Sequence, residues 1–383
     1  MSQFDFTEAQ DAFRREVARF TQRELLPGVK ERLKKGSMER GLARKMGDLG
    51  LLGINLPASY GGNPADWVSL GIATEELAKV DPMAAHLPAL HIAISDAILK
   101  GEEEVVREWL PGLINGEKIG CMALTEPDAG SDVAALKCKA ARNGGNYVLN
   151  GEKAPISFGR QADVALVFAK TDPVPGVRGI SCFLLPANLA GVSRSPLSAL
   201  GNSEGLASMS MEDARVPSNY RLGKEGDGFA IVMGLLDITR VGASLIALGM
   251  AQSSLEDAVS YARERITFGK PIAKYEAVSF KIAEDATRLE AARLLCYRAL
   301  SLKDKGAPCT KEAAMCKWFC PEVAVRAVHN SLLIHGFVGY SEEYPVEERL
   351  RDTIGEELAS GTAEMMKIII SQQIIGKIAS PFD

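Results

Sequence analysis

The period of the hydrophobic pattern changes twice along this chain, and that double change limits its fold more than any other feature. In the first third apolar residues recur at helical spacing. Phe13, Val17 and Phe20 share one face of a helix opened by a Thr7/Gln10 capping box and ended by Pro27. Leu49 to Gly53 leads into a Pro57–Gly62 turn, and further helix is expected over 85–100 and 102–113. From about Cys121 short strand-like runs take over. Asn146–Gly151 alternates and closes on an Asn-Gly pair that reads as a hairpin turn. Val164–Lys170, Ile180–Pro186 and Ala207–Met211 follow, separated by Gly, Pro and Asp clusters. Arg215-Val216-Pro217 and the glycines Gly223, Gly226 and Gly228 mark the exit. After Phe229 the helical period returns almost to the end, with Ile282, Ala286, Leu289, Ala292 and Cys296 spaced by four, three, three and four, and another helix over 323–334. The order predicts a small β unit between two helical units that pack together.

A chain of 383 residues exceeds what one core supports, so several packed units are expected. The net charge of -5 argues against nucleic acid or anionic membrane as the main partner. No apolar run is read as long enough to span a bilayer, and the start, Met1 to Glu8, has neither a signal-peptide nor a transit-peptide pattern. A cytoplasmic protein is expected. The seven scattered cysteines do not form a disulfide framework. Cys316 and Cys320 lie one helical turn apart in an apolar run, without a second Cys/His pair of matching spacing. They read as buried small hydrophobes. His329 and His335 show no ligand spacing either, and no metal is expected.

Four segments and the C-terminal catalytic stretch carry a resemblance that covers essentially the whole chain. Leu124-Thr125-Glu126-Pro127-Asp128-Ala129-Gly130-Ser131-Asp132 resembles the β-domain signature of the acyl-CoA dehydrogenase family. The resemblance implies that Met122, Leu124 and Thr125 meet the pyrimidine of an FAD. It also implies that Gly130 and Ser131 lie at the cofactor pyrophosphate or the CoA chain, where a Gly-Ser turn offers unhindered N–H donors to an anion. In Asn150-Gly151-Glu152-Lys153-Ala154-Pro155-Ile156-Ser157, Ile156 and Ser157 stand at the flavin, with a Ser157 hydroxyl where the family uses Thr against N5. Pro155 replaces the usual aromatic flavin cover. Arg263-Glu264-Arg265-Ile266-Thr267-Phe268-Gly269 is similar to the family's Arg-x-x-Phe-Gly element. It implies that Arg265 and Phe268 serve the FAD of a neighbouring subunit, Arg265 with the fixed fork that suits a diphosphate. Leu333-Ile334-His335-Gly336-Phe337-Val338-Gly339-Tyr340 stands against a usual Gln-x-x-Gly-Gly-x-Gly: Gly336 and Gly339 are kept, and Leu333 and Phe337 are departures. Tyr275-Glu276 occupies the place of a common Phe-Gln. Gly361, Thr362 and Glu364 complete the pyrophosphate-binding pieces. The resemblance implies an α+β protein with an N-terminal helical domain (1–118), a central β-barrel-like domain (119–226) and a C-terminal four-helix-bundle domain (227–383). It further implies a homotetramer and an electron acceptor such as an electron-transferring flavoprotein.

The departure that matters for chemistry is Ser360. Most members place a glutamate before Gly-Thr, and that carboxylate removes the α-proton of the acyl-CoA substrate. A serine hydroxyl is far too weak a base near neutral pH, although the Ser360 backbone N–H can still polarise a thioester carbonyl. The alternative base position, Thr239, also carries a hydroxyl, and Asp237, Arg240 and Gly361 are expected at the substrate with Ser131. His91, on the helix that lines the acyl pocket in the family, is the expected relocated base, with Asp96 and Glu357 behind it. The segments 332–336, 351–355 and 361–369 resemble the subgroup acting on cyclohexane- and cyclohexene-carboxyl-CoA. The expected activity is dehydrogenation of an alicyclic acyl-CoA. An enoyl-CoA reductase of the same fold and a non-dehydrogenating flavoprotein or binding paralogue are the alternatives.

Overall fold

The computed structural model describes residues 5–171, 176–201 and 205–381; Met1 to Phe4, part of the start considered above for a leader, lie outside them. In chain order the elements are helices α1 (Glu8–Phe20), α2 (Val29–Lys35), α3 (Arg40–Asp48), α4 (Trp67–Ala78), α5 (Pro82–Ile98) and α6 (Glu103–Ile114). Strands β1 (Gly120–Ala123), β2 (Lys139–Asn143), β3 (Asn146–Ile156), β4 (Val164–Lys170), β5 (Ile180–Pro186), β6 (Val192–Pro196), β7 (Ala207–Pro217) and β8 (Arg221–Leu222) follow. Then come α7 (Gly228–Glu264), a short hairpin of β9 (Ile266–Thr267) and β10 (Lys270–Pro271), α8 (Glu276–Asp304), α9 (Thr310–His335), α10 (Val346–Leu358) and α11 (Ala363–Ile375). The double change of period is thus realised. The Thr7/Gln10 capping box forms in both directions, at 3.2 Å and 3.0 Å.

The chain gathers into two compact units: Met1–Val29, Trp67–His86 and Arg240–Asp383 in one, Lys30–Asp66 and Leu87–Thr239 in the other. α5 and α7 each contribute residues to both units.

The second unit holds the sheet, in the order β6-β7-β3-β2-β4-β5-β8 with β1 alongside β4. β4 and β5 are near-continuous apolar runs and are buried through six of their seven positions each, as strands covered on both faces are. Asn150-Gly151 corrects the expected hairpin. β3 runs straight through it to Ile156, and the turn lies earlier, at Gly144-Gly145, where Asn143 faces Asn146 across the ladder. Asn150 instead pairs by its side chain with Asp213 on β7, at 2.8 Å and 3.0 Å. Gly151 marks a bulge at which a Cβ would sit 2.8 Å from the Cys138 Cα.

The first unit is helical, and its core is built from Val241, Leu245 and Leu248 of α7, Leu289, Ala292 and Cys296 of α8, and Ala324 and Val328 of α9. The buried stripe of α8 passes through Asp285 rather than the exposed Ala286. Asn330 on α9 holds that carboxylate at 2.9 Å. α4 and α7 approach so closely that a Cβ on Gly249 would lie 2.6 Å from Ala78 Cβ. α7 also corrects the expectation that no segment is long and apolar enough to cross a bilayer. It is 37 residues long and qualifies by composition, but 78% of its most apolar window is buried inside the protein. Cys316 and Cys320 are buried as expected, and the structure adds Cys296 from α8, whose Sγ lies 3.5 Å from that of Cys320. Burial pushes the Cys296 and Cys316 thiols well above their ordinary range.

Candidate active site

β1 leads into the Leu124–Asp132 segment, and a buried ion pair holds that segment in place. The Glu126 carboxylate accepts the backbone N–H groups of Lys137 (2.6 Å) and Cys138 (2.9 Å) and the ammonium of Lys153 (2.8 Å). Lys153 also donates to the Leu124 carbonyl at 2.9 Å, and the Ala154 N–H donates to the Thr125 carbonyl at 2.9 Å. Glu126 and Lys153 are 4% and 0% exposed. Burial works against the Glu126 charge, but the Lys153 hydrogen bond and the two N–H donors outweigh it and hold the carboxyl below its ordinary range. Burial likewise draws the Lys153 ammonium below its own ordinary value. The sequence reading assigned no role to this pair. Its signal was a lysine at an inward-facing position of an alternating strand.

Around this frame Met122, Leu124, Thr125 and Ser157 are half-buried, and Gly130 and Ser131 are exposed. A Cβ on Gly130 would meet only Thr125 Cγ2, at 3.8 Å, so the backbone there faces open space that an anionic group can approach. The Ile156 side chain is 1% exposed, which leaves its backbone as the part a ligand can meet. Pro155 is exposed in the position of the usual aromatic cover.

In the helical unit the chain leaves α10 through Ala359 and turns sharply at Ser360 (φ 57°) and Gly361 (φ 109°) before Thr362 caps α11. Ser360 in the left-handed region is a costly conformation for a residue with a Cβ. A Cβ on Gly361 would meet the Met366 methyl at 2.9 Å. Arg240, 5% exposed, donates from Nε to the Ser360 carbonyl at 3.4 Å. Arg240 is thus a buried group that holds the Ser360 turn. Asp237 is half-buried, and the Thr239 hydroxyl donates to the Leu236 carbonyl at 3.3 Å. The Thr362 hydroxyl accepts the Met365 N–H at 3.4 Å. A backbone N–H and the Thr362 hydroxyl hold the exposed Glu364 carboxyl below its ordinary range.

Arg265 is exposed at the base of the β9–β10 hairpin. The hairpin turn places Phe268 (φ 49°) and Gly269 (φ 78°) both in the left-handed region and leaves Phe268 93% exposed. Phe268, Ile272, Tyr275, Val278, Leu333 and Ile334 line an apolar groove of 290 Å³. Gly336 ends α9 at φ 66°, and Gly339 has no room for a Cβ, which would lie 2.7 Å from that of His335. Phe337 is 85% exposed.

His91 is where the structure overturns the reading of the base. It is fully buried, Nδ1 lies 3.0 Å from the Leu113 carbonyl, and the Gly120 N–H donates to Nε2 at 3.2 Å. A neutral ring with its proton on Nδ1 satisfies both contacts, and its acceptor nitrogen is then engaged. Burial lowers its pKa to about 4. His91 ties α6 to the start of β1 and is not placed to take a substrate proton. Asp96 pairs with Lys100 one turn along the α5 surface at 2.9 Å. Glu357 is half-buried, with its carboxyl raised by burial.

Residues 7–117 match the acyl-CoA dehydrogenase N-terminal domain family, 121–214 the middle domain family and 226–375 the C-terminal domain family. An acyl-CoA dehydrogenase of Bacillus subtilis is 38% identical over 376 residues, 97% of this chain and 99% of that one. The CarC subunit of the caffeyl-CoA reductase-Etf complex of Acetobacterium woodii is 36% identical over 97% of this chain and 100% of its own. The solved structure of a glutaryl-CoA dehydrogenase from Mycobacterium smegmatis in complex with FADH2 superposes with a TM-score of 0.92 at 29% identity, covering 98% of this chain and 96% of that one.

Proposed function

The chain belongs to the acyl-CoA dehydrogenase family, and we propose that it binds FAD and dehydrogenates an alicyclic acyl-CoA thioester with its α-proton taken away from residue 360. The observation that carries the reading is the Leu124–Ser131 segment. Its backbone is pinned from inside by Glu126 and Lys153 while Gly130 and Ser131 face outward, a rigid donor surface suited to a flavin and its diphosphate. Bound FAD supplies the acceptor for a hydride from the substrate β-carbon. The residues of this chain hold and orient: Thr125 and Ser157 offer hydroxyls toward the isoalloxazine, and Arg265 offers its guanidinium to a diphosphate of a second copy. The Ser360–Gly361 turn, held by Arg240, presents backbone N–H groups to a thioester carbonyl. The ring-bearing acyl group rests on the resemblance of the segments around Leu333, Arg351 and Gly361 and on the hydroxyl at Ser360. An electron-transferring flavoprotein as acceptor fits the similarity to a subunit of an Etf complex. That same relative and the missing carboxylate at 360 favour a second reading, reduction of an enoyl-CoA. We place the protein in the cytoplasm as a homotetramer.

Anaerobic titration of the purified yellow protein with a panel of linear and cyclic acyl-CoAs tests the reading. Bleaching near 450 nm (on the order of one flavin per chain) by cyclohexane- or cyclohexenecarboxyl-CoA is the expected outcome. Failure to retain FAD after reconstitution overturns the enzyme reading, and bleaching by linear substrates alone overturns the alicyclic one.

A further inference from the structure

Three thiols meet in the core of the helical unit, and the proposed function uses none of them. Cys316 and Cys320 lie one turn apart on α9, and Cys296 faces them from α8. The three Sγ atoms all lie within 4.8 Å of one another, and those of Cys296 and Cys320 are 3.5 Å apart. Each of the three residues is 0% exposed. The sequence shows only the α9 pair, because Cys296 joins it from 24 positions before Cys320. The thiols sit in the same apolar core as Leu245, Leu289, Ala292, Ala313 and Ala324. The Cys320 thiol also reaches the Ala292 carbonyl, at 3.6 Å. Two buried charges act on the group. Lys317, next to Cys316 on α9 and 1% exposed, donates to the Glu357 carbonyl at 3.1 Å, and its ammonium favours negative charge at Cys320. The Glu75 carboxylate opposes it, and is itself held by Arg293 at 2.6 Å and Tyr297 at 2.8 Å.

We propose that Cys296, Cys316 and Cys320 form a binding site for one monovalent copper ion, Cu(I), in trigonal sulfur coordination. The inference stands apart from the acyl-CoA reading and uses none of its residues. Thiolate bonds of about 2.3 Å to a d10 ion place three sulfurs of a trigonal plane about 4 Å apart. The three Sγ atoms therefore need only small shifts to receive an ion. Soft sulfur ligands select Cu(I), zinc or iron–sulfur clusters. Structural zinc takes a fourth ligand, and an iron–sulfur cluster takes four cysteines. Among the described residues the group holds three thiols and no His or carboxylate, and Glu75 is already engaged. Three sulfurs complete the coordination of Cu(I) without a further ligand. Charge points the same way, because an apolar core tolerates little net charge. Binding releases thiol protons to solvent; with two released, one Cu(I), two thiolates and one thiol carry a single net negative charge, which the Lys317 ammonium opposes. No electron is transferred, since copper enters and stays as Cu(I) and no S–S bond forms. The bound ion ties α8 to α9.

The test loads the full chain with copper and asks where the ion sits. Because the thiols are closed off from solvent, loading is done by expression in copper-supplemented medium and, separately, by anaerobic addition of Cu(I) to the purified protein; local opening of the core admits the ion in the second case. The protein is then desalted against bicinchoninate, a Cu(I) chelator, and its copper is measured. About one copper per chain is expected by either route, with a raised melting temperature because the ion binds the folded state. Cys296→Ala and Cys320→Ala should each lose the copper and the rise in melting temperature. Cys309→Ala, which removes a thiol outside the group, should keep both. A wild type that retains no copper by either route overturns the proposal. So does copper retained equally in folded Cys296→Ala and Cys320→Ala, or lost equally in Cys309→Ala. A measurement on the unmodified protein covers variants that do not fold. X-ray absorption at the copper edge of the loaded wild type should show Cu(I) with three sulfurs at about 2.3 Å. Nitrogen or oxygen neighbours, or two sulfurs only, overturn the assignment. Loss of flavin binding or of acyl-CoA reduction bears on the proposed function alone and leaves these readings unchanged.

Discussion

His91 keeps both ring nitrogens in contacts with backbone groups, to the Leu113 carbonyl and from the Gly120 N–H, and burial holds its pKa at about 4. A histidine in an unfolded chain titrates near 6.5, so the unfolded state takes up a proton that the folded state refuses between those two values. The stability His91 contributes is complete above about pH 6.5 and falls as the pH drops through the folded value, a span worth about 3 kcal/mol. Denaturant midpoints at pH 7.5 and 4.5 should therefore separate further for the wild type than for His91→Gln, which is also less stable at pH 7.5. An equal separation in the two proteins refutes the structural role. At this scale the sequence showed a histidine on a helix with the right general character for a base. The contact atoms that engage it come from 22 and 29 residues away in the chain.

At the scale of elements the Glu126–Lys153 pair joins β3 to the segment that carries the flavin signature. Lys153→Met removes the ammonium and leaves a buried carboxylate with only its backbone donors. The expected cost is about 3–5 kcal/mol, with loss of bound flavin as Thr125 and Ser131 lose their fixed positions. Thermal melting and the visible spectrum of the purified protein check both effects. Lys153→Met combined with Glu126→Gln should recover part of the loss, because no unpaired charge remains. β4 and β5 were legible as apolar runs bounded by turn residues, and β3 and β7 in part, whereas β1, β2, β6 and β8 were not. The hairpin turn was not legible either: Asn150-Gly151 has the composition of a hairpin, yet the side chain of Asn150 finds Asp213 on β7 and the ladder continues.

For the molecule as a whole, the apolar surface of the helical unit carries the third prediction. Phe268, Phe337, Tyr340 and Ile378 are 93%, 85%, 71% and 89% exposed, and the groove between the hairpin and the end of α9 is open. A lone folded chain rarely leaves such a surface in water. Keeping Phe268 at a left-handed position where Asn or Gly is easier is a conformational cost that a contact with another copy would offset. Sedimentation velocity at micromolar concentration should show an oligomer. Phe268→Asp should shift it toward the monomer with an unchanged far-UV spectrum, and flavin should be released in parallel if Arg265 serves the cofactor of a second copy as proposed. A monomeric wild type, or a variant that stays assembled, sinks this reading.

The sequence alone determined the order of helical and β segments, the capped start of α1, the flavin signature and the absence of a carboxylate at Ser360. Each of these is written in residues adjacent in the chain or repeated at a fixed local period. Tertiary structure decided which inward side chains meet: Lys153 with Glu126, Cys296 with Cys320, Arg240 with the Ser360 carbonyl, His91 with backbone and His86 with Glu356. Those pairings join segments that no local period relates. Burial then sets their charge states, because an ionisable group's pKa depends on desolvation and on the atoms packed against it.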